Sequence, residues 1–133
     1  MSAKTKIAFV CLHGSAKSLI AAEYLNRRAG ERDLKMSATS SGPEPDLVVP
    51  SNVVEGLRRR EIDVGNRAPE RVSAQSLTGA DHIVSFGCDL HGLVAADREV
   101  ERWDDCPAVS DDFHVAWSFI TARVEKLIDR LQN

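Results

Sequence analysis

The stretch that decides the fold is residues 7–18, which read Ile-Ala-Phe-Val-Cys-Leu-His-Gly-Ser-Ala-Lys-Ser. Its first four residues are apolar and partly β-branched, which is typical of a short buried strand. Small and polar residues follow, and apolar side chains then recur at helical spacing from Leu19 to Leu25. We expect this helix to stop at Gly30. The stretch therefore predicts a strand, a tight loop and a helix in succession.

Further strands and helices alternate along the rest of the chain. Strands are predicted at 34–39, 82–86 and 100–103. A second helix opens at Pro50, with Ser51 as its N-cap, and an amphipathic stripe from Phe113 to Leu131 predicts the last helix. Alternating strands and helices favour a parallel sheet covered on both faces. Because the chain has 133 residues and no internal repeat, we predict one domain spanning 1–133.

Composition and charge exclude several classes of function. The net charge is -3 and the pI is near 5.8, so no basic field favours nucleic acid or a membrane surface. The run of three arginines at 58–60 is interpreted as a solvated helix end. No apolar segment approaches the twenty or so residues of a membrane span, and we expect a cytoplasmic protein. The histidines and cysteines lack metal-ligand spacing, so neither a metal nor a cofactor is predicted.

The candidate site is the oxyanion loop, residues 11–18. A loop between a strand end and a helix start gathers backbone N–H groups that have no intrahelical partner, and the helix dipole adds to them. Cys11 at the bottom of this loop would be an activated thiolate, with Lys17 as a nearby cation and Ser18 as a hydrogen-bond donor to the sulfur. Gly14 can adopt a positive φ. The predicted oxyanion-binding residues are Leu12, His13, Gly14, Ser15, Ala16 and Lys17.

Other interpretations of this loop stay open from the residues alone. A single cysteine at a strand end is typical of a small buried side chain without chemistry. The segment also approaches the nucleotide-binding pattern G-x4-G-K-[ST], but Cys11 and Ala16 stand where that pattern requires glycine. His13 either adds positive charge to the loop or points into solvent. An odd number of cysteines without a secretory signal argues against a disulfide framework.

The order of these residues resembles the low-molecular-weight protein tyrosine phosphatases and the thioredoxin-coupled arsenate reductases. The resemblance is carried by residues 7–18 and 21–25, with weaker matches at 37–40, 50–64, 81–90 and 103–107. It implies a flavodoxin-like, three-layer α/β sandwich in which helices cover both faces of a four-stranded parallel sheet. It also implies that Cys11 attacks phosphorus while an aspartic acid protonates the leaving oxygen and later activates water.

Three positions depart from the pattern of the family. Lys17 replaces an arginine, and an ammonium cannot hold two oxygens in one plane as a guanidinium does. Gly14 replaces an asparagine that braces the loop. The family's acid is an aspartate directly before proline, whereas here Cys106 precedes Pro107. Asp105 is our candidate acid, and Asp104 is the second choice.

Three functions follow from the resemblance and its departures. The first is a phosphomonoester phosphatase, with phosphotyrosine as a candidate substrate, that works through a cysteinyl-phosphate on Cys11. The second is an arsenate reductase, in which Cys88 would serve as the redox partner of Cys11 and a thiol reductant would complete the reaction. The third is an oxyanion-binding or sensing module with impaired turnover. The expected partners are accordingly phosphate, arsenate or a phosphorylated substrate, and for the reductase a thiol reductant.

Overall fold

The computed structural model describes residues 4–132. Strands and helices alternate through most of this range, as the periodicity predicts. In chain order the elements are β1 (Thr5–Val10), α1 (Lys17–Glu31), β2 (Met36–Ser41), α2 (Ser51–Arg58), α3 (Ala74–Thr78), β3 (His82–Ser85), β4 (Glu101–Arg102) and α4 (Phe113–Gln132).

The four strands form one parallel sheet in the order β2-β1-β3-β4. β1 lies in the centre and pairs with β2 over its full length, from Thr5 opposite Met36 to Val10 opposite Ser41. The predicted four-stranded parallel sheet of flavodoxin type is thereby confirmed. Because parallel strands all end at the same edge, the loops that follow β1, β2 and β3 meet there.

Residues of β1 alternate between two core clusters, one on each face of the sheet. Ile7 and Phe9 pack among side chains of α1, α2 and α4. Ala8 and Val10 pack on the opposite face, where Leu77 of α3 and the segment 88–94 cover them. Helices therefore lie on both faces, as predicted, although the second face carries a single helix of five residues.

Helix boundaries differ from the sequence prediction at two places. α1 does not stop at Gly30 but continues to Glu31, and the N–H of Arg32 still bonds the carbonyl of Arg28. Ser51 is not the N-cap of α2, because Pro50 holds that position and its carbonyl accepts the N–H groups of residues 53 and 54. The short α3 was not predicted, since its one buried apolar residue leaves no periodic signal.

The arginine run at the end of α2 divides into two environments. Arg58 and Arg59 both pair with Glu55 at the surface, as a solvated helix end would. Arg60 instead places its guanidinium 5.0 Å from the ring centre of Phe113 and 4.8 Å from that of Trp117. The prediction of a solvated terminus is therefore wrong for Arg60, which joins α2 to α4 through cation–π contacts.

β2 lies at one outer edge of the sheet, and other segments of the same chain bond some of its outward-facing backbone groups. Alternate residues of a parallel strand turn their backbone groups toward the neighbouring strand, and the others turn them away. The side-chain amide of Asn26 in α1 bonds both the N–H of Ala38 at 2.8 Å and its carbonyl at 3.0 Å. Just beyond β2, the N–H of Gly42 bonds the carbonyl of Glu70, and its carbonyl accepts the N–H of Val72.

The carboxylate of Glu101 joins β4 to α4, and its titration makes stability depend on pH. It accepts hydrogen bonds from the indole of Trp103 at 2.6 Å and from Arg130 at 2.8 Å, and it lies 3.1 Å from the imidazole of His82. Burial works to raise the pKa of Glu101, but the hydrogen bonds from Trp103, Arg130 and His82 outweigh it and bring the pKa below its ordinary value of 4.5.

A carboxyl group with a lowered pKa stabilises the fold above its unfolded pKa, and the contribution is lost as pH falls through the folded pKa. We therefore expect the free energy of unfolding to fall between about pH 5 and about pH 3 more steeply in the parent protein than in Glu101→Gln. At neutral pH the variant should be less stable by about 1–3 kcal/mol, because it loses charge-assisted hydrogen bonds. Urea unfolding at each pH measures both effects. If the free energy of unfolding had the same pH dependence in both proteins, Glu101 would not be the group responsible.

Candidate active site

Cys11 lies directly after β1, at the sheet edge where the loops meet. Its side chain is buried, and Sγ lies 3.0 Å from the hydroxyl oxygen of Ser18, which is itself fully buried. The backbone N–H of Ser18 also points at this sulfur, at 3.5 Å. The structure thus brings together the two residues that the sequence nominated as nucleophile and hydrogen-bond partner.

The N-terminus of α1 faces the same site. Ala16 is its N-cap residue and offers no side-chain hydrogen bond, so N–H groups of the first turn have no acceptor within the helix. Lys17 is the first residue of α1, and it is one of the residues that line the cavity above Cys11. Within residues 4–132, no carboxylate lies at ion-pair distance from the Lys17 ammonium. Free N–H groups, the helix dipole and an unpaired cation together favour an anion beside the sulfur.

Two glycines let a second segment lie directly against the oxyanion loop. Gly14 has φ of +62°, and a Cβ there would stand 2.8 Å from the carbonyl carbon of Ser41. A Cβ on Gly42 would overlap the carbonyl oxygens of Cys11 and Leu12. The backbones are therefore in contact at a distance that side chains at these positions would prevent.

Backbone hydrogen bonds join this second segment, residues 41–46, to the oxyanion loop; we call it the bracing segment. The N–H of Cys11 bonds the carbonyl of Ser41 at 3.2 Å, and the N–H of Glu44 bonds the carbonyl of Leu12 at 3.0 Å. The N–H of Asp46 reaches the carbonyl of His13 at 3.3 Å. These backbone bonds hold the oxyanion loop in place without the asparagine that the family has at position 14. The backbone of Ser41 lies too close to this position for any side chain. Sequence reasoning did not identify the bracing role of Gly42.

A cavity of about 340 Å³ opens above Cys11. One wall is the oxyanion loop, and the others come from the bracing segment, from α2 and from the loop between β4 and α4. The lining residues outside the oxyanion loop are Asp46, Pro50, Asn52, Val53, Phe86, Ala108, Val109 and Ser110. Most of these are apolar, so the cavity suits an anionic group at Cys11 joined to a less polar body.

Asp46 places a carboxylate in this cavity. Its Oδ2 accepts the hydroxyl of Ser15 at 2.5 Å, and its Oδ1 lies 3.8 Å from Nδ1 of His13. His13 is half exposed, and its Nδ1 also lies 2.8 Å from the carbonyl of Glu44. His13 therefore takes part in the bracing contacts and reaches solvent at the same time. The sequence prediction did not include Asp46.

The predicted acids lie elsewhere. Asp105 pairs with Arg123 of α4 at 2.8 Å, and Asp104 pairs with Arg102 at 3.1 Å. Both side chains are more than half exposed, and neither lines the cavity. The loop after β4 contributes apolar residues and Ser110 to the wall in their place. The structure does not bring Asp105 or Asp104 to Cys11.

The two other cysteines are buried near Cys11. Burial, together with the electrostatic influence of Cys11, raises the pKa of the Cys88 thiol. Burial also raises the pKa of Cys106 to about 11, although Lys17 opposes the shift. Both side chains therefore favour the protonated thiol at neutral pH, the form that is a poor nucleophile. Neither lines the cavity.

Across residues 4–132, no three His, Cys, Asp or Glu side chains are arranged to hold a metal ion. In the same range, no helix has the length and apolar character required to cross a bilayer.

Comparison with known proteins now identifies the class to which this fold and site belong. The family model "Low molecular weight phosphotyrosine protein phosphatase" matches residues 6–102. A relative from Halobacterium salinarum, named "Putative arsenate reductase", is 30% identical over 101 residues, which cover 74% of this chain and 71% of the relative. The match to the family model ends at Arg102 and so excludes Asp104 and Asp105.

Two solved structures share the fold. YfkJ from Bacillus subtilis superimposes with a TM-score of 0.84 at 21% identity, covering 98% of this chain and 96% of YfkJ. The thioredoxin-dependent arsenate reductase of Corynebacterium glutamicum superimposes with a TM-score of 0.79 at 19% identity, covering 98% of this chain and 63% of that one. The chain belongs to the low molecular weight phosphotyrosine protein phosphatase family. Membership implies substrates of the phosphate or arsenate type.

Proposed function

We propose that this protein is a cysteine-dependent phosphomonoesterase. The supporting observation is the position of the Cys11 sulfur, which contacts the Ser18 hydroxyl at the start of α1, beside Lys17 in the same cavity wall. Donors and positive charge at this position suit the oxygens of a phosphoryl group next to the sulfur, and a cysteine sulfur can act as the nucleophile. The apolar walls above it fit the aryl part of an ester such as phosphotyrosine.

The properties of Cys88 and Cys106 also agree with a reaction that uses only one thiol. A phosphatase needs one nucleophilic sulfur, because water releases the phosphoryl group from it. Cys88 and Cys106 are buried with raised pKa values, which does not hinder such a cycle. We therefore favour hydrolysis of a phosphate ester over reduction of arsenate as the function of this protein.

Arsenate reduction is the second candidate. It is supported by the relative from Halobacterium salinarum, which is named "Putative arsenate reductase". In this reaction Cys11 would bind arsenic, Cys88 would form a disulfide with Cys11 as arsenite leaves, and an external dithiol would reduce the disulfide.

One experiment separates the two candidates. Hydrolysis of p-nitrophenyl phosphate and thiol-dependent production of arsenite are measured across about pH 5 to 8 for the parent protein and for Cys88→Ser. A phosphatase hydrolyses the ester in both forms. A reductase produces arsenite in the parent and loses this activity in Cys88→Ser. Phosphate binding without either activity would indicate the oxyanion-binding module instead.

Substitution of Lys17 by arginine tests the cationic position of the loop. A guanidinium can donate two parallel hydrogen bonds to phosphoryl oxygens in one plane, whereas an ammonium cannot. We expect Lys17→Arg to raise kcat/KM for the aryl phosphate about tenfold or more, with the roughly 100- to 1000-fold effect of a whole oxyanion donor as the upper bound.

The matched control is Lys17→Met, which keeps a long flexible side chain but removes the charge. It should lower kcat/KM below that of the parent protein. If Lys17→Arg and Lys17→Met behaved alike, residue 17 would not contact the phosphoryl group.

A further inference from the structure

The cavity above Cys11 has one carboxylate in its walls. Of the described residues that line it, Asp46 alone carries a carboxyl group. Asp104 and Asp105 are held in ion pairs with Arg102 and Arg123 outside it. Hydrolysis of an ester with a poor leaving group needs a proton donor within reach of the leaving oxygen. The carboxylates near the expected Asp-Pro position do not meet this requirement.

The contacts of Asp46 hold its carboxylate in a defined orientation. Its backbone N–H bonds the carbonyl of His13, and its Oδ2 accepts the hydroxyl of the buried Ser15. Both partners belong to the oxyanion loop, so the carboxyl group is positioned relative to the sulfur of Cys11 by the same backbone. The side chain is about one-third exposed, at 37%, which also gives water access to it.

Resting on the proposed phosphatase function, we propose that Asp46 is the general acid and base of this protein. The proton donor would then come from the loop after β2 and not from the loop after β4. Cys106 stands directly before Pro107, in the place where the family has its acid, and no acid is required there.

The proposed reaction has two steps, the formation of a cysteinyl-phosphate and its hydrolysis. The Cys11 thiolate forms the sulfur–phosphorus bond while the phosphorus–oxygen bond to the leaving group breaks, and the leaving oxygen takes the proton of the Asp46 carboxylic acid. Water then attacks phosphorus and gives a proton to the Asp46 carboxylate. The sulfur–phosphorus bond breaks, its electron pair returns to Cys11 as the thiolate, and phosphate is released.

Leaving-group dependence tests this role. Phenyl phosphate needs a proton donor, whereas dinitrophenyl phosphate releases a stable anion without one. We expect Asp46→Asn to lower kcat/KM for phenyl phosphate by about 100-fold or more, and to change kcat/KM for dinitrophenyl phosphate less than about threefold, since no proton transfer assists that first step. The asparagine keeps an oxygen that can accept the Ser15 hydroxyl, so the loop retains its bracing.

Two matched variants separate the acid from its neighbours. Asp105→Asn removes the carboxylate that the sequence nominated and should keep the parental ratio of the two kcat/KM values. Ser15→Ala keeps the Asp46 carboxylate but removes a hydrogen bond that orients it, so it should lower kcat/KM for phenyl phosphate more than for dinitrophenyl phosphate, by a smaller factor than Asp46→Asn does.

Each contrary result has a distinct meaning. Equal losses on both substrates in Asp46→Asn would make the residue structural and overturn the proposal, as would a leaving-group-dependent loss in Asp105→Asn. If the parent protein hydrolysed neither ester, the proposed function would fail and this assignment with it. If the parent hydrolysed both and Asp46→Asn matched it, only this assignment would fail.

Discussion

Replacement of Cys11 by serine is expected to remove hydrolysis of an aryl phosphate and to leave phosphate binding in place. Serine keeps the size of the side chain, but its hydroxyl is not ionised at neutral pH and is a far weaker nucleophile. The N–H groups at the start of α1 and the Lys17 side chain are unchanged, so the anion still has its donors. The expected loss in kcat is on the order of 10⁴-fold or more, as for other enzymes without their nucleophile.

Calorimetric titration with phosphate, alongside the activity assay, measures both parts of this prediction. Cys106→Ser is the matched control, because it makes the same change in a buried cysteine of the same core cluster that does not line the cavity. It should retain the parental kcat. Turnover that survived in Cys11→Ser would show that the reaction does not pass through this sulfur.

Substitution of Gly42 by alanine is expected to damage both the fold and the site. The added Cβ would overlap backbone atoms of Cys11, Leu12 and Gly14. Backbone atoms cannot rotate away as a flexible side chain can, so the bracing segment must move off the oxyanion loop. We expect a loss of about 3 kcal/mol, at the upper end of overpacking costs, and a fall in Tm of roughly 10 °C. Activity should decline with it, because the loop loses its backbone bonds.

Gly30→Ala is the control for this substitution. It adds the same methyl group within α1, where nothing stands within 4 Å of the new Cβ, and it should stabilise the protein by up to about 1 kcal/mol. Thermal unfolding of the two variants gives the comparison. A Gly42→Ala protein as stable as its parent would mean that the two backbones do not need their close contact.

The parts of the fold set by local patterns could be predicted from the sequence. Residues 7–18 contain in one continuous stretch the apolar strand, the small-residue turn and the start of a helix, and the structure has this succession in that order. The long stripe of α4 was equally clear, because its apolar residues recur over five turns. α3 was missed because five residues cannot show a period.

The parts of the site that depend on distant segments could not be predicted in this way. Gly42 and Asp46 are ordinary loop residues in the sequence, and only the parallel pairing of β1 and β2 brings them against Cys11. One signal was available, since strands of a parallel sheet end at a common edge. This rule points to carboxylates just after the second strand, but the sequence prediction named Asp105 and Asp104 because of their position near Pro107.

The contacts along the outer edge of β2 also bear on how molecules of this protein meet each other. A strand with free backbone groups is a template on which another chain can add a strand, and long edges of this kind lead to aggregation. Here Asn26 occupies both backbone groups of Ala38, and the segment at 70–72 occupies those of Gly42. A foreign strand could not form an uninterrupted ladder along β2, and the opposite edge, β4, is two residues long. We therefore expect copies of this protein to resist joining their sheets edge to edge, even at high concentration.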